Sequence, residues 1–344
     1  MRIAHVRERN APAGAPWRLA AALEASEEPR RWLDLEPARR RLAARDPELA
    51  HNDALFRQRQ TTLDAHLAAG GRVEHLRAIV EPFLTEGPLE ADDELTLEAD
   101  DLRFGPPILQ PPSFRDFYAF EAHVRTMWAR RNDTIPEAWY RLPIFYFSNV
   151  SEVRGPGDPV WAARGSQELD YELEIGALVD APATDLEAER AEEVIGGYFV
   201  LNDWSARDLQ RDESAVRLGP AKGKDFALSI GPWLITPDEL AEARSGKGFA
   251  LAGTATVNDQ VCSRGTWADI HYSFGEMLAR ASADVRLRPG EIVGSGTIGS
   301  GSLLESREGT LGRYLQPGDE VNLSIERLGR LDTPIVERPN GGLS

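Results

Sequence analysis

The chain has 344 residues, and its 39 basic and 56 acidic side chains give a formal net charge of −17. Hydrophobic residues make up 42% of the chain, a proportion typical of globular proteins, which excludes extensive disorder. The negative charge argues against nucleic acid or an anionic membrane surface as a partner, because both would repel the protein. Small anionic molecules stay open as ligands, since their binding depends on local charge.

The cysteine and lysine contents are both low. The single cysteine, Cys262, excludes an intramolecular disulfide and a zinc site built from several thiolates. Residues 1–7 lack the apolar stretch of a signal peptide, and no apolar run approaches the ~20 residues of a membrane span, so we expect a cytoplasmic protein. Of the three lysines, Lys222 and Lys224 lie only two positions apart.

Residues 1–105 are predicted to form a small N-terminal domain, because prolines cluster directly after them. Within it we predict strands over residues 1–7 and 16–23, helices over residues 54–69 and 71–84, and a connection with one exposed strand over residues 86–101. The helices are predicted from apolar residues that recur at spacings of three and four.

Residues 106–344 are predicted to form a second, β-rich domain. The predicted helices cover residues 113–129 and 272–281, and the predicted strands cover residues 144–148, 168–179, 194–203, 232–235, 250–257, 292–293 and 321–325. Strands and helices do not alternate as they do in a doubly wound parallel sheet. The predicted fold class is therefore α+β, a mixed β-roll or sandwich with flanking helices.

Residues 168–175 alternate between acidic and apolar side chains, which predicts a strand with Asp170, Glu172 and Glu174 on one face. On that face Glu172 and Glu174 would lie about 7 Å apart at Cα, given a rise of ~3.4 Å per residue. Both carboxylates could then bind one Mg²⁺ or Ca²⁺ ion, which prefer such oxygen ligands. The alternative, favoured on this segment alone, is a half-exposed strand with a solvated acidic face.

Asp203 ends a predicted apolar strand, where a metal ligand is often found, and Ser205 after it is a candidate helix N-cap. The alternative is that Asp203 only forms a turn. Lys222 and Lys224 lie in a glycine-rich turn, where an ammonium group can neutralise a developing oxyanion. The alternative for this segment is a loop with solvated lysines.

Asp116 and His123 are seven residues apart, which would place them on one face of a helix capped by Ser113. A carboxylate for a metal and an imidazole for a proton would then line one wall of a cleft. The alternative is that His123 is a surface or core histidine without a chemical role. The glycine-rich residues 294–301 are predicted to form a tight loop beside the site, because they do not match a nucleotide-binding fingerprint.

These stretches together resemble the fumarylacetoacetate hydrolase family over about residues 111–325. The shared motifs follow the family order: Glu-Leu-Glu at 172–174, Asn-Asp-Trp-Ser-Ala-Arg-Asp-Leu-Gln at 202–210, Leu-Gly-Pro-Ala-Lys-Gly-Lys-Asp-Phe at 218–226, Ser-Gly-Thr at 295–297 and Leu-Leu-Glu at 303–305. The motif at 202–210 is long and specific. Two departures, Phe-Tyr-Phe-Ser at 145–148 in place of Gly-Tyr-His-Gly and Leu228 in place of threonine, predict an altered substrate pocket.

The resemblance implies a divalent metal, Mg²⁺ or else Ca²⁺ or Mn²⁺, bound by Asp116, Glu172, Glu174 and Asp203. It implies that His123 activates water and is oriented by Glu305. It further implies that the negative charge of the reaction is stabilised by Lys224, Arg207 and Gln210. The residues expected to contact the substrate are Tyr146, Thr297 and one of Arg130 and Arg131.

The predicted activity is hydrolysis of a C–C bond in a small anionic β-diketo acid, similar to fumarylacetoacetate or an acylpyruvate. We expect a homodimer, on the resemblance alone. One alternative is a decarboxylase, isomerase or hydratase of a 2-oxo acid, which would use the same metal and Lys224 but would not need both His123 and Glu305. The other is a metal-binding structural or regulatory protein without catalytic activity.

Overall fold

The structure, a computed structural model, describes residues 1–12, 14–45, 61–85, 95–305 and 311–339. Its α-helices are α1 (Leu35–Arg45), α2 (Leu63–Ala68), α3 (Arg77–Thr85), α4 (Glu121–Arg130), α5 (Ala188–Ala191), α6 (Arg207–Ala215) and α7 (Phe274–Ser282). Its strands are β1 (Arg2–Glu8), β2 (Arg18–Ala22), β3 (Arg31–Asp34), β4 (Thr96–Glu98), β5 (Leu102–Phe104), β6 (Phe114–Phe117), β7 (Phe145–Ser148), β8 (Val153–Arg154), β9 (Leu169–Asp170), β10 (Leu173–Val179), β11 (Ile195–Asp203), β12 (Ser205–Ala206), β13 (Leu228–Ile235), β14 (Arg244–Ser245), β15 (Gly248–Phe249), β16 (Ala252–Val257), β17 (Gln260–Thr266), β18 (Ile292–Gly294), β19 (Glu320–Ile325) and β20 (Gly329–Pro334).

A large mixed sheet forms the centre of the described chain, in the order β4-β3-β2-β1-β13-β11-β10-β18-β6-β7, with β5 on β1 and β8 on β13. Most neighbours are antiparallel, whereas β6 and β18 run parallel. A second sheet has the order β17-β16-β19-β20, and β20 contacts β13. The predicted α+β class, rich in strands and with flanking helices, is confirmed.

The main core lies between these two sheets and beneath α7. Strand β11 is buried along its whole length, which follows from its nearly continuous apolar sequence. Tyr198 on β11 packs edge-on against Trp267 and Phe274, with ring centroids 5.0 and 5.3 Å away. Burial of aliphatic and aromatic side chains contributes about 1.5–3 kcal/mol each, so this core fixes β11 firmly. The carboxyl end of β11 is where Asp203 lies.

The N-terminal strands extend the same central sheet. Strand β1 pairs with β13 through Ile3 and Leu234, and both residues belong to one apolar cluster with Leu33 and Phe199. The predicted strands at the start of the chain and the predicted helix over 71–84 are confirmed by β1, β2 and α3. Of the helix predicted over 54–69 the structure shows α2, and residues 54–60 and 86–94 lie outside the described residues. The division at residue 105 stays a prediction.

The helix predicted over residues 113–129 is wrong in its first half. Phe114–Phe117 form strand β6 between β18 and β7, and helix α4 begins only at Glu121. Ser113 is therefore not a helix N-cap, and Asp116 and His123 do not share a helix face. Pairing with β18, far along the chain, overrides the local spacing because a paired strand buries both phenylalanines of β6.

The strand predicted over residues 168–179 is interrupted. Strands β9 and β10 are separated at Tyr171 and Glu172, and β9 pairs with β12 rather than with the central sheet. Ser205 belongs to β12, so it does not cap α6; Ala206 occupies that N-cap position. In the described part of the chain, no helix has the length and apolarity needed to cross a membrane.

Candidate functional site

Three buried carboxylates meet where neighbouring strands of the central sheet begin or end. Asp116 lies on β6, Glu174 on β10 and Asp203 at the end of β11, and each offers an oxygen within 4.8 Å of the others. Strand β18 separates β6 from β10, and its Gly294 makes the approach possible. A Cβ at Gly294 would lie 2.4 Å from Asp116 Oδ1 and 3.1 Å from Glu174 Oε2. We call Asp116, Glu174 and Asp203 the carboxylate cluster.

The glycine-rich loop that follows β18 supplies the hydrogen-bond donors of the cluster. The backbone N–H of Gly296 donates to Asp116 Oδ1 at 3.3 Å and to Glu174 Oε2 at 3.2 Å. Gly296 has a φ of +77°, which an L side chain rarely adopts. The prediction of a tight loop beside the site is confirmed. Within the described residues, Asp203 Oδ1 is buried and has no hydrogen-bond partner.

The cluster is electrostatically unfavourable as it stands. Burial, and then the charge of Asp203, raises the pKa of Asp116 well above its usual range. Burial, and then the charge of Asp116, does the same to the pKa of Glu174. A divalent cation would relieve both effects, and carboxylate oxygens are the ligands that Mg²⁺ and Ca²⁺ prefer. The donor set and the unpartnered oxygen of Asp203 therefore fit such an ion.

Two buried cations lie beside the cluster. Lys224 Nζ contacts the carboxylate of Glu172 and lies 2.5 Å from Asp203 Oδ2. Arg207 Nη1 lies 2.9 Å from Glu172 Oε1. Burial alone would raise the pKa of Glu172, but the charges of Lys224 and Arg207 outweigh it and lower that pKa. Glu172 thus has its counter-charges within the protein, and its assignment as a metal ligand stays a prediction.

The alternative of a solvated acidic face over residues 168–175 is wrong. Asp170, Glu172 and Glu174 are 0%, 5% and 0% exposed. The alternation is real, but both faces of this segment are covered. One face lies in the core and the other faces the site.

The loop that carries Lys224 is fixed to α6. Backbone N–H groups of Ala221, Lys222 and Gly223 donate to the carboxylate of Glu213 at 2.7, 2.7 and 3.1 Å. At Gly223 a Cβ would lie 2.8 Å from the backbone nitrogen of Gln210, so the loop packs directly on the helix. The side chain of Lys222 is 71% exposed and pairs with Asp225. The interpretation as solvated loop lysines is therefore right for Lys222 and wrong for Lys224.

His123 and Glu305 meet from two different segments, α4 and the 3-10 turn Leu303–Glu305. His123 Nδ1 lies 2.8 Å from Glu305 Oε2, and both side chains are buried. The contact has the distance, but not the alignment, of a hydrogen bond. The carboxylate of Glu305 accepts hydrogen bonds from Ser300 N–H and Ser302 Oγ, both at 3.1 Å. The turn therefore holds Glu305 against the imidazole.

Tyr118 was not predicted, although it follows Asp116 by two residues. Its ring meets the ring of His123 edge-on, with centroids 5.3 Å apart. Burial, and then the charge of Glu172, raises its pKa, so its hydroxyl is neutral at physiological pH. Tyr118 thus packs beside the imidazole near the acidic groups of the site.

Two residues predicted to contact the substrate lie at the carboxylate cluster, and their contact with the substrate stays a prediction. The hydroxyl of Tyr146 donates a hydrogen bond to Asp203 Oδ2, and burial, followed by the charge of Asp203, raises the pKa of Tyr146 well above its usual value. Thr297 Oγ1 lies 3.5 Å from Glu174 Oε1. Both side chains therefore help to orient the carboxylates.

The remaining predicted residues lie near the cations or on the surface. Gln210 Oε1 accepts a hydrogen bond from Arg207 Nη1 at 3.1 Å. Arg130 and Arg131 are exposed at the end of α4, and Arg131 lies over the ring of Trp128 at 5.7 Å. The charge of Arg131 lowers the pKa of Tyr118, whose net shift is upward, and the contact of Arg130 or Arg131 with the substrate stays a prediction.

Comparison with known protein families identifies the family of this chain. Residues 113–336 match the family model described as fumarylacetoacetate (FAA) hydrolase, C-terminal. The chain belongs to the fumarylacetoacetate hydrolase family. Among curated proteins it is similar to the fumarylacetoacetase of Arabidopsis thaliana, with 29% identity over 271 residues, 61% of this chain and 64% of that protein. The match thus spans less than two thirds of that relative.

Solved structures show the same fold. The chain is similar to a fumarylacetoacetate hydrolase from Exiguobacterium antarcticum, with a TM-score of 0.66 and 21% identity over 98% of this chain and all of that one. It is also similar to a 5-carboxymethyl-2-hydroxymuconate delta-isomerase from Mycobacterium smegmatis, with a TM-score of 0.62 and 20% identity over 98% of this chain and all of that one. Proteins of this fold therefore include both hydrolases and isomerases.

Proposed function

We propose that this member of the family is a divalent-metal-dependent hydrolase that cleaves a C–C bond in a β-diketo acid. Homologous enzymes include hydrolases and isomerases. The observation that favours hydrolysis is the buried contact between His123 and Glu305, 2.8 Å apart. Hydrolysis needs a base that activates water, and an imidazole oriented by a carboxylate is suited to that role.

The metal would be held by the carboxylate cluster, with Glu172 as the fourth predicted ligand next to it. When bound, a cation such as Mg²⁺, Ca²⁺ or Mn²⁺ supplies Lewis-acid polarisation of the substrate's carbonyl oxygens. Tyr146 and Thr297 orient the oxygens of Asp203 and Glu174 for that role.

His123 supplies the base. Its Nδ1 faces Glu305, which leaves Nε2 to take a proton from water. Glu305 stabilises the imidazolium that forms and is itself held by Ser300 and Ser302. Tyr118 packs against the ring and limits its rotation.

The proposed reaction balances with the β-diketo acid and one water molecule as its only reactants. The oxygen of the activated water bonds to the acyl carbonyl carbon of R–CO–CH₂–CO–COO⁻, and the bond from that carbon to the methylene group breaks. The electron pair leaves with the methylene carbon as an enolate, beside the positive charges of Lys224 and Arg207. The proton taken by His123 balances the later protonation of the methylene carbon. The products are a carboxylic acid and a 2-oxo acid.

An isomerase or decarboxylase of a 2-oxo acid is the second candidate, favoured by the similarity of the fold to an isomerase. These reactions use the enolate but do not need activated water. The products separate the candidates, since hydrolysis gives two acids, decarboxylation releases CO₂ and isomerisation leaves the molecular mass unchanged.

The test is turnover of acylpyruvates, fumarylacetoacetate and oxaloacetate with Mg²⁺, before and after EDTA, for the parent and His123→Ala. We expect hydrolysis of an acylpyruvate, loss of turnover in EDTA, and a loss of about 10²–10⁴-fold in kcat for His123→Ala. Unchanged turnover in EDTA contradicts the metal requirement, and unchanged hydrolysis by His123→Ala contradicts the base. Mg²⁺ binding without turnover of any of these substrates supports a non-catalytic protein.

A further inference from the structure

Asp170 is a buried carboxylate, 0% exposed, whose side-chain partners come from two segments of the site. Its Oδ2 accepts hydrogen bonds from Arg207 Nε at 2.8 Å and from Leu304 N–H at 3.1 Å. Its Oδ1 accepts a hydrogen bond from Leu303 N–H at 2.8 Å. Asp170 therefore contacts both the cation beside Glu172 and the turn Leu303–Glu305 that presents Glu305 to His123.

The local backbone fixes Asp170 in this position. Strand β9 pairs with β12, so Asp170 lies opposite Ser205, two residues before Arg207. The N–H of Arg207 also donates to the carbonyl oxygen of Glu168 at 2.9 Å. The contact between Asp170 and Arg207 thus joins two segments that are already paired.

The contact determines the orientation of Arg207. Its Nε is held by Asp170 and its Nη1 by Glu172 and Gln210. Because the guanidinium group is planar, these contacts fix the direction of the third nitrogen. Among the described residues, Arg207 Nη2 is buried and has no hydrogen-bond partner, so it is free to bind an anionic ligand.

We propose that Asp170 is a positioning residue that holds Arg207 and the Glu305 turn in one fixed arrangement. This role rests on the proposed function, in which Arg207 stabilises the leaving enolate and Glu305 orients the base. Asp170 then aligns Arg207, which stabilises the negative charge of the enolate, with the pair of His123 and Glu305 that activates water. Neither contact requires Asp170 to touch the substrate.

Asp180 provides a matched comparison within the same chain. It is also buried, at 2% exposed, and it accepts hydrogen bonds from Arg72 Nη2 and Val73 N–H, both at 3.0 Å. These partners lie in the N-terminal region, away from the site residues. A purely structural role predicts that Asp170→Asn and Asp180→Asn lose stability alike and leave turnover of the folded protein unchanged. The positioning role predicts a loss of turnover for Asp170→Asn alone.

The experiment measures kcat and KM for an acylpyruvate with Mg²⁺, the Kd of oxalate with Mg²⁺ by calorimetry, and urea unfolding. Oxalate is a planar dianion that mimics the enolate of a 2-oxo acid. For Asp170→Asn we expect kcat to fall about 10–100-fold and oxalate affinity about 10-fold, the usual cost of losing a supporting contact, with KM changed less than about 3-fold. For Asp180→Asn both kcat and oxalate affinity stay within about 2-fold of the parent.

A double-mutant cycle with Arg207→Lys tests whether Asp170 acts through Arg207. Because the two residues are in contact, the loss in kcat for the double variant should be smaller than the product of the single losses. Multiplicative losses would overturn the positioning role through Arg207. Parental kcat and parental oxalate affinity in folded Asp170→Asn would also overturn it.

Three further outcomes each have a defined meaning. If Asp170→Asn does not fold, Asp170→Glu keeps the charge and moves the carboxylate by one methylene group, and a parental kcat in that variant contradicts positioning. If the parent binds oxalate but hydrolyses no β-diketo acid, the proposed function fails, while the change in oxalate affinity still decides the role of Asp170. If the parent neither turns over substrate nor binds oxalate, both proposals fail.

Discussion

Glu172 and Glu174 are two residues apart and almost equally buried, yet the protein shifts their pKa values in opposite directions. Glu174 has Asp116 and Asp203 as neighbours, and burial with these like charges raises its pKa. Glu172 has Lys224 and Arg207 as neighbours, and these cations lower its pKa despite burial. Glu172 thus contacts cations of the protein itself, whereas Glu174 faces like charges, of which only Asp203 contacts Lys224.

This difference indicates which carboxylates depend on a cation from outside the chain. A buried carboxylate with a built-in cation is stable without metal, whereas a cluster of like charges is stabilised only when a metal binds. Within the carboxylate cluster, Asp116 and Glu174 have the second property, whereas Asp203 also contacts Lys224. The predictions below test this contrast.

The largest effect is expected for Lys224→Met, which removes the cation shared by Glu172 and Asp203. Losing a donor that stabilises the developing charge should lower kcat by about 10²–10³-fold. Asp203 would lose its cation and Glu172 would keep only Arg207, which should lower the free energy of unfolding by about 3–5 kcal/mol. Steady-state kinetics and urea unfolding measure the two effects.

Lys222→Met is the control for this change, because the side chain of Lys222 is 71% exposed two positions away. It should leave kcat unchanged and alter stability by less than about 0.5 kcal/mol. Equal effects of the two substitutions would show that the burial of Lys224 has no functional meaning.

The effect of Glu174→Gln on the free energy of unfolding should change sign when Mg²⁺ binds. In EDTA the variant should be more stable than the parent by about 1 kcal/mol, because one of the like charges is gone. At a Mg²⁺ concentration of 100 times Kd the parent should gain about 2.7 kcal/mol and the variant much less. Urea unfolding with EDTA and with Mg²⁺ measures both differences.

Glu291→Gln is the matched control, since Glu291 is also buried but is paired with Arg115 at 2.5 Å. It should lose stability in EDTA and in Mg²⁺ alike and should keep the parental gain from Mg²⁺. A parental gain from Mg²⁺ in Glu174→Gln would remove Glu174 from the metal site.

Tyr146→Phe removes the hydroxyl that donates to Asp203 and keeps the ring. Because the hydroxyl orients a predicted ligand, Mg²⁺ affinity should fall about 10-fold by calorimetry. Tyr140→Phe, at a tyrosine that is 43% exposed and donates to Glu121, should leave the affinity unchanged. Unchanged affinity in Tyr146→Phe would contradict a role of this hydroxyl in metal binding and would leave only its predicted contact with the substrate.

The smallest effect on the site is expected at Asp319, a carboxylate with its own cation outside the site. Hydrogen bonds from Arg313, at 2.6 and 2.7 Å, are the main reason that the pKa of Asp319 is lowered to about 2. Asp319→Asn should cost about 1–2 kcal/mol at neutral pH, a figure reduced because Arg313 is partly exposed to solvent.

The pH dependence of this cost has a definite sign. Because the folded-state pKa is below the ordinary value of 3.8, the pair stabilises the protein above pH 3.8 and the stabilisation is lost as the pH falls toward 2. The difference between the parent and Asp319→Asn in urea unfolding should shrink over that range. Arg313→Gln should show the same dependence, and a difference that persists at pH 2 would contradict the assignment.

The sequence predicted the parts of the site that lie within continuous motifs. The apolar run before Asp203 predicts a buried strand, and β11 confirms it. The motif that contains Lys224 singles out this lysine as a candidate site residue, and the structure buries it beside Glu172. These features depend on residues close together in the chain, so local patterns are sufficient.

The features that the sequence did not predict depend on distant pairing. Strand β6 exists because it pairs with β18 more than 170 residues later, and no local spacing records that partner. Asp170 belongs to the same alternation as Glu172, so the pattern marked it as an acid near the site. Its contacts with Leu303 and Leu304 follow only from the folded position of their turn.

The pairing of β1 with β13 has a practical consequence for work with shortened chains. Strand β1 covers the end of β13 through Arg2 and Ile3, and the N-terminal region contributes Leu33 and Val80 to the apolar cluster on this side of the sheet. A chain that started at residue 106 would leave these backbone groups of β13 unpaired beside an uncovered apolar surface. Such an edge templates pairing with other chains. Expression of residues 106–344 alone should therefore give aggregates, whereas β1 covers this edge in the 344-residue chain.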